Sequence, residues 1–535
     1  MGKTRSINIV RVLLALFFLF AAILPLVGMF GRLLDPSSVE AFSSPQFATA
    51  CINSIVISLT ATFISLCCAM VMSWVLCRTR IRFKGAIAVV MTLPMLIPSL
   101  AHGMGLVFLL GSNGVLTNVL GLSDSFSIYG FQGIVAGSVL YSFPSAFLLL
   151  YDVLKYEDYS AYEAANVLGI PKWSQFLNIT LPYLRKPLIS AVFATFTLVI
   201  TDYGVPLMVG GKTVTLSTLM YQEVIGLLNF NTGASIGFVL LIPAVAAFLV
   251  DVLNRDAGRM SFVTRPFELR PNKMRDAFGY VASAVAAIAI VLPLASFALV
   301  SFVRKYPVDM SFTLDNIGRS LNLNVGDYWL NSIFIAVAVS ALGTVLAYFA
   351  GYITARMGGR FARALHLVCI TTLAIPGIVL GLSYVGFFKG TFIYGTFALL
   401  ILVNLIHFFA SPYLMAYNSL GKVNANLEAV GATLGIGRMS MIKDVLIPQT
   451  TDTVLEMFSY FFVNCMVTIS AVAFLSTTLD MPLALLITDL DTQRLTECAA
   501  FVSLVILVTN IAVKSALAGV EKLVSRKQRL EYAHE

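Results

Sequence analysis

Of 535 residues, 58% are hydrophobic and only 12% charged, and the mean hydropathy is +0.88. A soluble globular domain carries roughly a quarter of its residues as charges, so this composition excludes a soluble fold. The formal net charge of +8 is spread over several short loops, which excludes nucleic acid as a partner and leaves the lipid bilayer as the natural solvent.

Apolar runs of about 20 residues are what a helix needs to cross a bilayer. The chain offers them at 8–30, 50–76, 86–111, 132–153, 188–210, 233–253, 277–303, 329–353, 365–388, 395–417, 453–475 and 497–518. The expected fold is therefore an all-α polytopic membrane protein with about twelve spans. Lys and Arg are retained on the cytoplasmic side. With both termini inside, the inner segments hold 28 of the 35 basic residues and the outer ones seven, which favours an inside start and an even number of spans. The first run is longer than a secretory signal core and reads as an uncleaved span. The seven cysteines lie in or beside apolar runs, without the spacing of a disulfide framework or a metal site.

Internal repetition is strong. Asn53-Ser54-Ile55 in span two recurs as Asn331-Ser332-Ile333 in span eight, an offset of 278. A basic loop follows each, and Pro98 and Pro376 keep the same offset. The expected organisation is a first repeat over 1–253, a cytoplasmic linker over 254–276, a second repeat over 277–518 and a cytoplasmic tail over 519–535. Six spans per repeat insert both copies the same way up, as in parallel-repeat transporters, with substrate crossing where the repeats meet. Pro94, Pro98, Pro144, Pro206, Pro376 and Pro412 fall inside or at the ends of spans, where each removes a backbone donor and can kink its helix.

Between the fourth and fifth spans of each repeat lies a polar cassette, within 154–187 and 418–450. The first reads Glu163-Ala164-Ala165-Asn166-Val167-Leu168-Gly169-Ile170 and reaches Leu181-Pro182; the second reads Glu428-Ala429-Val430-Gly431-Ala432-Thr433-Leu434-Gly435-Ile436 and reaches Ile447-Pro448. Each glycine is placed to stop a short helix in a left-handed conformation, and Pro171 to open the next one. The expected product is a rigid knob of two short helices at the inner membrane surface.

This cassette resembles the cytoplasmic coupling loop of permease subunits of bacterial ATP-binding-cassette importers, and nearly the whole chain is similar to the fused twelve-span permeases of the ferric-iron type, whose relatives handle 2-aminoethylphosphonate, thiamine and polyamines. The resemblance implies an inner-membrane permease without enzymatic activity, catalytic residues or cofactor of its own. It implies two partners: a cytoplasmic ATP-binding subunit, present as a dimer, and an extracytoplasmic solute-binding protein. Carried over by position, Glu163, Ala164, Ala165 and Gly169 match the first loop. The second departs, because Ala429 stands where Glu163 does, and Glu428, one residue earlier, is expected to serve in its place beside Gly435.

Asp202, in span five, is a carboxylate at membrane depth, which costs several kcal/mol unless it faces water or a partner. Asp202 and Thr201, with Asn464 and Thr468 in span eleven, are expected to line the translocation path; structural hydrogen bonding is the alternative for Asp202. His102, His366 and His407 lie on three different spans, so no metal site is expected. Gly210-Gly211-Lys212-Thr213 lacks the earlier glycine of a phosphate-binding loop, with Pro206 in its place. A secondary transporter of major-facilitator-like architecture is the alternative reading. The substrates expected from the resemblance are ferric iron or a phosphonate, ahead of thiamine or a polyamine.

Overall fold

The computed structural model describes residues 2–36, 38, 41–121, 127–254, 267, 269 and 271–534. Most of the expected linker (255–266, 268 and 270) therefore lies outside the described residues. Among those described, helix dominates, and the strands are one short antiparallel hairpin, Val303–Lys305 with Asp309–Phe312.

Among the described residues, nine helices are long and apolar enough to cross a bilayer: Ile7–Leu34, Pro45–Arg78, Ser99–Leu120, Phe131–Lys155, Lys172–Ile200, Phe230–Val250, Lys273–Ser301, Val325–Met357 and Thr496–Val524. Two bent pairs bring the number to eleven: Gly359–Ala374 with Gly377–Phe388, at 108°, and Phe397–His407 with Ala410–Lys422, at 53°. The remaining expected span, 453–475, is the 17-residue helix Thr451–Val467, after which Thr468 turns extended. Seventeen residues rise only about 26 Å, short of a roughly 30 Å hydrocarbon core. The mostly apolar but non-helical segment that follows, from Thr468, accounts for the difference from twelve.

Prolines explain where the third span of each repeat breaks. Ile97 and Ile375 are extended, each after a turn of 3₁₀ helix, and Pro98 and Pro376 cap the helices Ser99–Leu110 and Gly377–Phe388. A proline's ring pushes the preceding residue out of the helical region, so the break sits one residue upstream in both copies. Pro144, by contrast, lies within the unbroken helix Phe131–Lys155. Pro412 sits in the first turn of Ala410–Lys422, where a missing N–H is harmless.

The chain divides into two compact units that do not follow the repeat boundaries. One contains residues 1–42, 222–241 and 314–535; the other contains 43–221 and 242–313. In the first unit, the N-terminal span packs against helices of the second repeat: Tyr384 Oη donates to Ala21 O at 2.5 Å, and Phe18 meets Phe409 edge-on at 5.0 Å. In the second unit, span seven packs against the third span of the first repeat, with Phe297 edge-on to Phe108 at 6.0 Å. Here the second span presents small buried residues, Ala50, Ser54, Ser58, Ala61 and Ser65, along one face. Small side chains let membrane helices approach closely, and Ser65 Oγ meets Ser142 Oγ of the fourth span at 2.8 Å.

The Asn-Ser repeat has a structural reason. After span five the backbone leaves the helix, and its freed groups need partners in a medium without water. Asn53 Nδ2 donates to Val214 O at 2.9 Å, and Ser54 Oγ accepts from Leu216 N at 2.7 Å. In the other unit Asn331 Nδ2 donates to Leu479 O at 3.0 Å, and Ser332 Oγ accepts from Leu483 N at 2.7 Å. Both serines are buried. Replacing either with alanine orphans a buried N–H, so Ser54→Ala and Ser332→Ala are each expected to cost about 1–3 kcal/mol. A lowered thermal midpoint of the detergent-solubilised protein checks this, and unchanged midpoints would refute it.

Candidate functional site

Each cassette folds as two short helices meeting at a glycine corner. The first has a helix Ser160–Val167, a corner at Gly169 and a second short helix from Lys172. The second has a helix Asn426–Thr433, a corner at Gly435 and a second helix from Arg438. The corners are built alike. Ile170 N donates to Ala165 O at 2.9 Å and Gly169 N to Asn166 O at 3.2 Å; Ile436 N donates to Gly431 O at 2.8 Å and Gly435 N to Ala432 O at 3.2 Å. This double closure requires a left-handed residue, and Gly169 (φ +67°) and Gly435 (φ +71°) supply it.

The two helices of each knob are fastened differently. In the first, Gln175 Nε2 donates to Ile170 O at 2.8 Å and to Asn166 Oδ1 at 2.9 Å, and Lys172 Nζ joins Asn166 Oδ1 at 2.6 Å. Position 175 plus 266 is 441 in the second loop, and there Met441 replaces the amide. Its methyl end lies 2.2 Å from where a Cβ on Gly431 would stand. The methionine thus fills the space that the methyl of Ala165 takes in the first loop. Both knobs present apolar side chains outward: Val167 is 83% exposed, Leu168 75% and Trp173 70% in the first, and Leu434 is 70% exposed in the second.

Of the expected contact residues, Glu163, Ala164 and Gly169 are exposed and Ala165 is buried; Ala429 and Gly435 are exposed and Glu428 is half-buried. Glu428 does not take up the position of Glu163. Its two carboxylate oxygens are held by Arg356, through Nε at 2.6 Å and through Nη2. The surface position equivalent to Glu163 is simply Ala429. A corresponding arginine, Arg78, forms an ion pair with Glu157 at the base of the first knob. Sequence reasoning passed over Arg78, Glu157, Tyr162 and Arg356. The signal was present, since Arg78 and Arg356 stand 278 apart like the other repeat markers.

Asp202 is buried directly after span five. One carboxylate oxygen accepts from Val205 N at 3.0 Å and the other from Gly204 N at 3.3 Å. It thereby caps the short helix Gly204–Val209. Ser217 Oγ donates to its backbone carbonyl at 2.6 Å, and Asp202 lines a small cavity in which Ser54, Ser58 and Thr215 face the apolar Ile57, Ile134 and Val199. Thr201 is half-buried and bonds back to Thr197 O at 2.8 Å. In the other unit Asn464 is half-buried, donating to Tyr460 O at 2.8 Å, and Thr468 is buried. His102 contacts Pro98 O at 3.1 Å and His366 contacts Tyr413 Oη at 2.5 Å. Among the described residues, no three His, Cys, Asp or Glu side chains converge.

Residues 65–257 and 343–526 each match the family described as binding-protein-dependent transport system inner membrane component. The chain is 26% identical, over 72% of its own length, to the ferric transport system permease protein FbpB of Actinobacillus pleuropneumoniae, and spans 58% of that protein. It is 23% identical to the Fe(3+)-transport system permease protein FbpB 2 of Haemophilus influenzae, over 82% of this chain and 83% of the relative. The molybdenum transport system permease protein ModB of Azotobacter vinelandii is 33% identical over 28% of this chain and 70% of its own length. With most of each repeat matched, one copy after the other, the chain belongs to the family of binding-protein-dependent transport system inner membrane components.

Proposed function

We propose that this chain is the permease of an ATP-driven importer, that both termini are cytoplasmic, and that each knob docks on a separate ATP-binding subunit. The observation that carries the proposal is the pair of like-built knobs with outward apolar side chains. A leucine left mostly exposed on a polar loop does nothing for folding, and clustered exposed apolar side chains rimmed by polar ones mark a protein contact. The excess of Lys and Arg in the same segments supports a cytoplasmic position for both knobs, on the side where ATP is present. An extracytoplasmic binding protein delivers the substrate, and the permease contributes the path rather than chemistry.

The names of the relatives favour ferric iron as the substrate, ahead of a phosphonate, for which only the original resemblance speaks. The path is assigned by repeat position, to Thr201 and Asp202 in the first repeat and to Asn464 and Thr468 in the second. Asp202 has a double task in this reading: its carboxylate caps the helix after span five and thereby shapes the small cavity beside it.

Two measurements test the reading. Leu168→Glu combined with Leu434→Glu is expected to cut the ATP-binding subunit retained on affinity purification about tenfold or more, as loss of interface anchors does. The size-exclusion profile of the permease should stay unchanged, because both side chains are exposed. A double variant that retains the subunit fully would defeat the docking assignment. Asp202→Asn keeps one acceptor but loses the charge. It is expected to leave subunit retention unchanged and to lower cellular uptake of radioactive ferric iron about tenfold, the scale of one charged hydrogen bond. Loss of assembly instead would give Asp202 a purely structural role.

A further inference from the structure

Two loops built around the same glycine corner are tied to the membrane by different chemistry, and each tie ends on the second span of its own repeat. Arg356 closes the second span of the second repeat, within Val325–Met357. Its guanidinium has five donors, and all five are used. Nε and Nη2 hold Glu428, in the first turn of the knob helix; Nη1 donates to Leu420 O at 3.2 Å and to Val423 O at 2.5 Å; Nη2 also donates to Asn424 O at 2.9 Å. The three carbonyls belong to the end of the fourth span, Ala410–Lys422, and the residues just after it. One side chain, 6% exposed, therefore joins the second span, the end of the fourth span and the knob helix.

In the first repeat Arg78 is the last residue of the helix Pro45–Arg78. It pairs with Glu157, whose side chain is 3% exposed. Glu157 Oε1 accepts from Tyr162 Oη at 2.5 Å, and that hydroxyl also meets Thr180 Oγ1 at 2.5 Å. Tyr162 lies in the first turn of the knob helix, and Thr180 directly precedes the helix Leu181–Ile200 of span five. Burial, with the hydrogen bond to Glu157 adding to it, raises the Tyr162 hydroxyl well above its ordinary range, so it stays protonated and donates. Phe267 lies over the guanidinium, its ring centre 3.3 Å from Arg78 Cζ, and meets the Tyr162 ring at 4.9 Å. The repeat offset shows what changed: 162 plus 266 is 428 and 157 plus 266 is 423. The acid has moved from the base of the loop onto the knob helix, and the tyrosine relay has gone.

The far end of each second span carries the other grip. Asn53 and Ser54 hold the loop after span five in one unit; Asn331 and Ser332 hold its counterpart in the other. From Ser54 to Arg78, and from Ser332 to Arg356, is 24 residues, about 36 Å of helix. We propose that the second span of each repeat is a transmission rod, with Arg78 and Arg356 as positioning residues that fix its inner end to the knob while the Asn-Ser pair fixes its outer end to the loop after span five. Motion delivered to a knob then reaches that loop along the rod, in addition to the covalent route through spans four and five. A lysine at either arginine keeps the charge but has three donors on a flexible stem and no fork. The proposal rests on the importer reading.

The test uses the full assembly with its ATP-binding subunits in lipid nanodiscs. Spin labels are placed on the loops held by the rods, by Lys212→Cys and Leu479→Cys in a chain otherwise free of cysteine, and their separation is measured before and after trapping with ATP and vanadate. The parent chain is expected to show a change in separation. Arg356→Lys and Tyr162→Phe are expected to retain the ATP-binding subunit in parent amounts while the change falls by at least half. Tyr162→Phe removes a single hydroxyl and keeps the Arg78–Glu157 pair, so it carries the test should Arg356→Lys fail to fold. An undiminished change in the variants would reduce the arginines to local stabilisers and overturn the proposal. Loss of the subunit from the variants would overturn it as well, by making them docking residues. A parent chain that retains no ATP-binding subunit would instead bring down the importer reading, and this inference with it.

Discussion

Breaking a helix inside a bilayer frees backbone donors and acceptors that no water can satisfy. This chain breaks helices repeatedly, before Pro98 and Pro376 and after Thr201 and Val467. Its unusual polar residues sit where those breaks fall. Asp202 caps the helix after the first break past span five, Asn53 and Ser54 hold the loop beyond it, and Asn331 and Ser332 do the same in the second repeat. In that second loop Asp480 Oδ1 accepts from Thr477 N at 2.6 Å. Irregular backbone held by a neighbouring span is also backbone that moves when the span moves. The constraint that makes the fold possible thus supplies a connection along which it can work.

The two repeats keep geometry and exchange chemistry. Both knobs turn on a left-handed glycine with the same two hydrogen bonds. Beneath that shared corner, an amide clasp at Gln175 becomes a methionine packed under Gly431, and the Glu157–Tyr162 relay becomes a direct Arg356–Glu428 pair. A corner is fixed by backbone sterics and admits few residues; a clasp needs only a good contact and admits many. The outer faces differ too, with an acid at Glu163 and a methyl at Ala429. Two ATP-binding subunits would therefore meet unequal surfaces, and the binding energy on the two sides need not match.

Much of this was legible in the sequence, and the failures have physical causes. Long apolar runs, the 278-residue offset and the glycine corners follow from local chemistry, and eleven of the twelve expected spans appear as long or bent helices. The break before Pro98 was legible as a proline effect, but its form as a 3₁₀ turn and an extended residue depends on packing. Glu428 was expected, by resemblance, to serve in place of Glu163, and its hold by Arg356 was not legible. On a helix one position is a rotation of about 100°, enough to turn a side chain from solvent to Arg356. The compact units were not legible at all, because nothing in a hydropathy pattern says which neighbour an apolar face will choose. The N-terminal span is contiguous with the first repeat in sequence and packs with the second.

The central claim is that both knobs stand in the cytoplasm, where an ATP-driven partner can hold them. Single cysteines at positions 168 and 434, in a chain otherwise free of cysteine, can be reacted with a membrane-impermeant maleimide in intact cells and in inverted membrane vesicles. The account predicts labelling of both positions in inverted vesicles and of neither in intact cells. Labelling of either position from outside intact cells would contradict it.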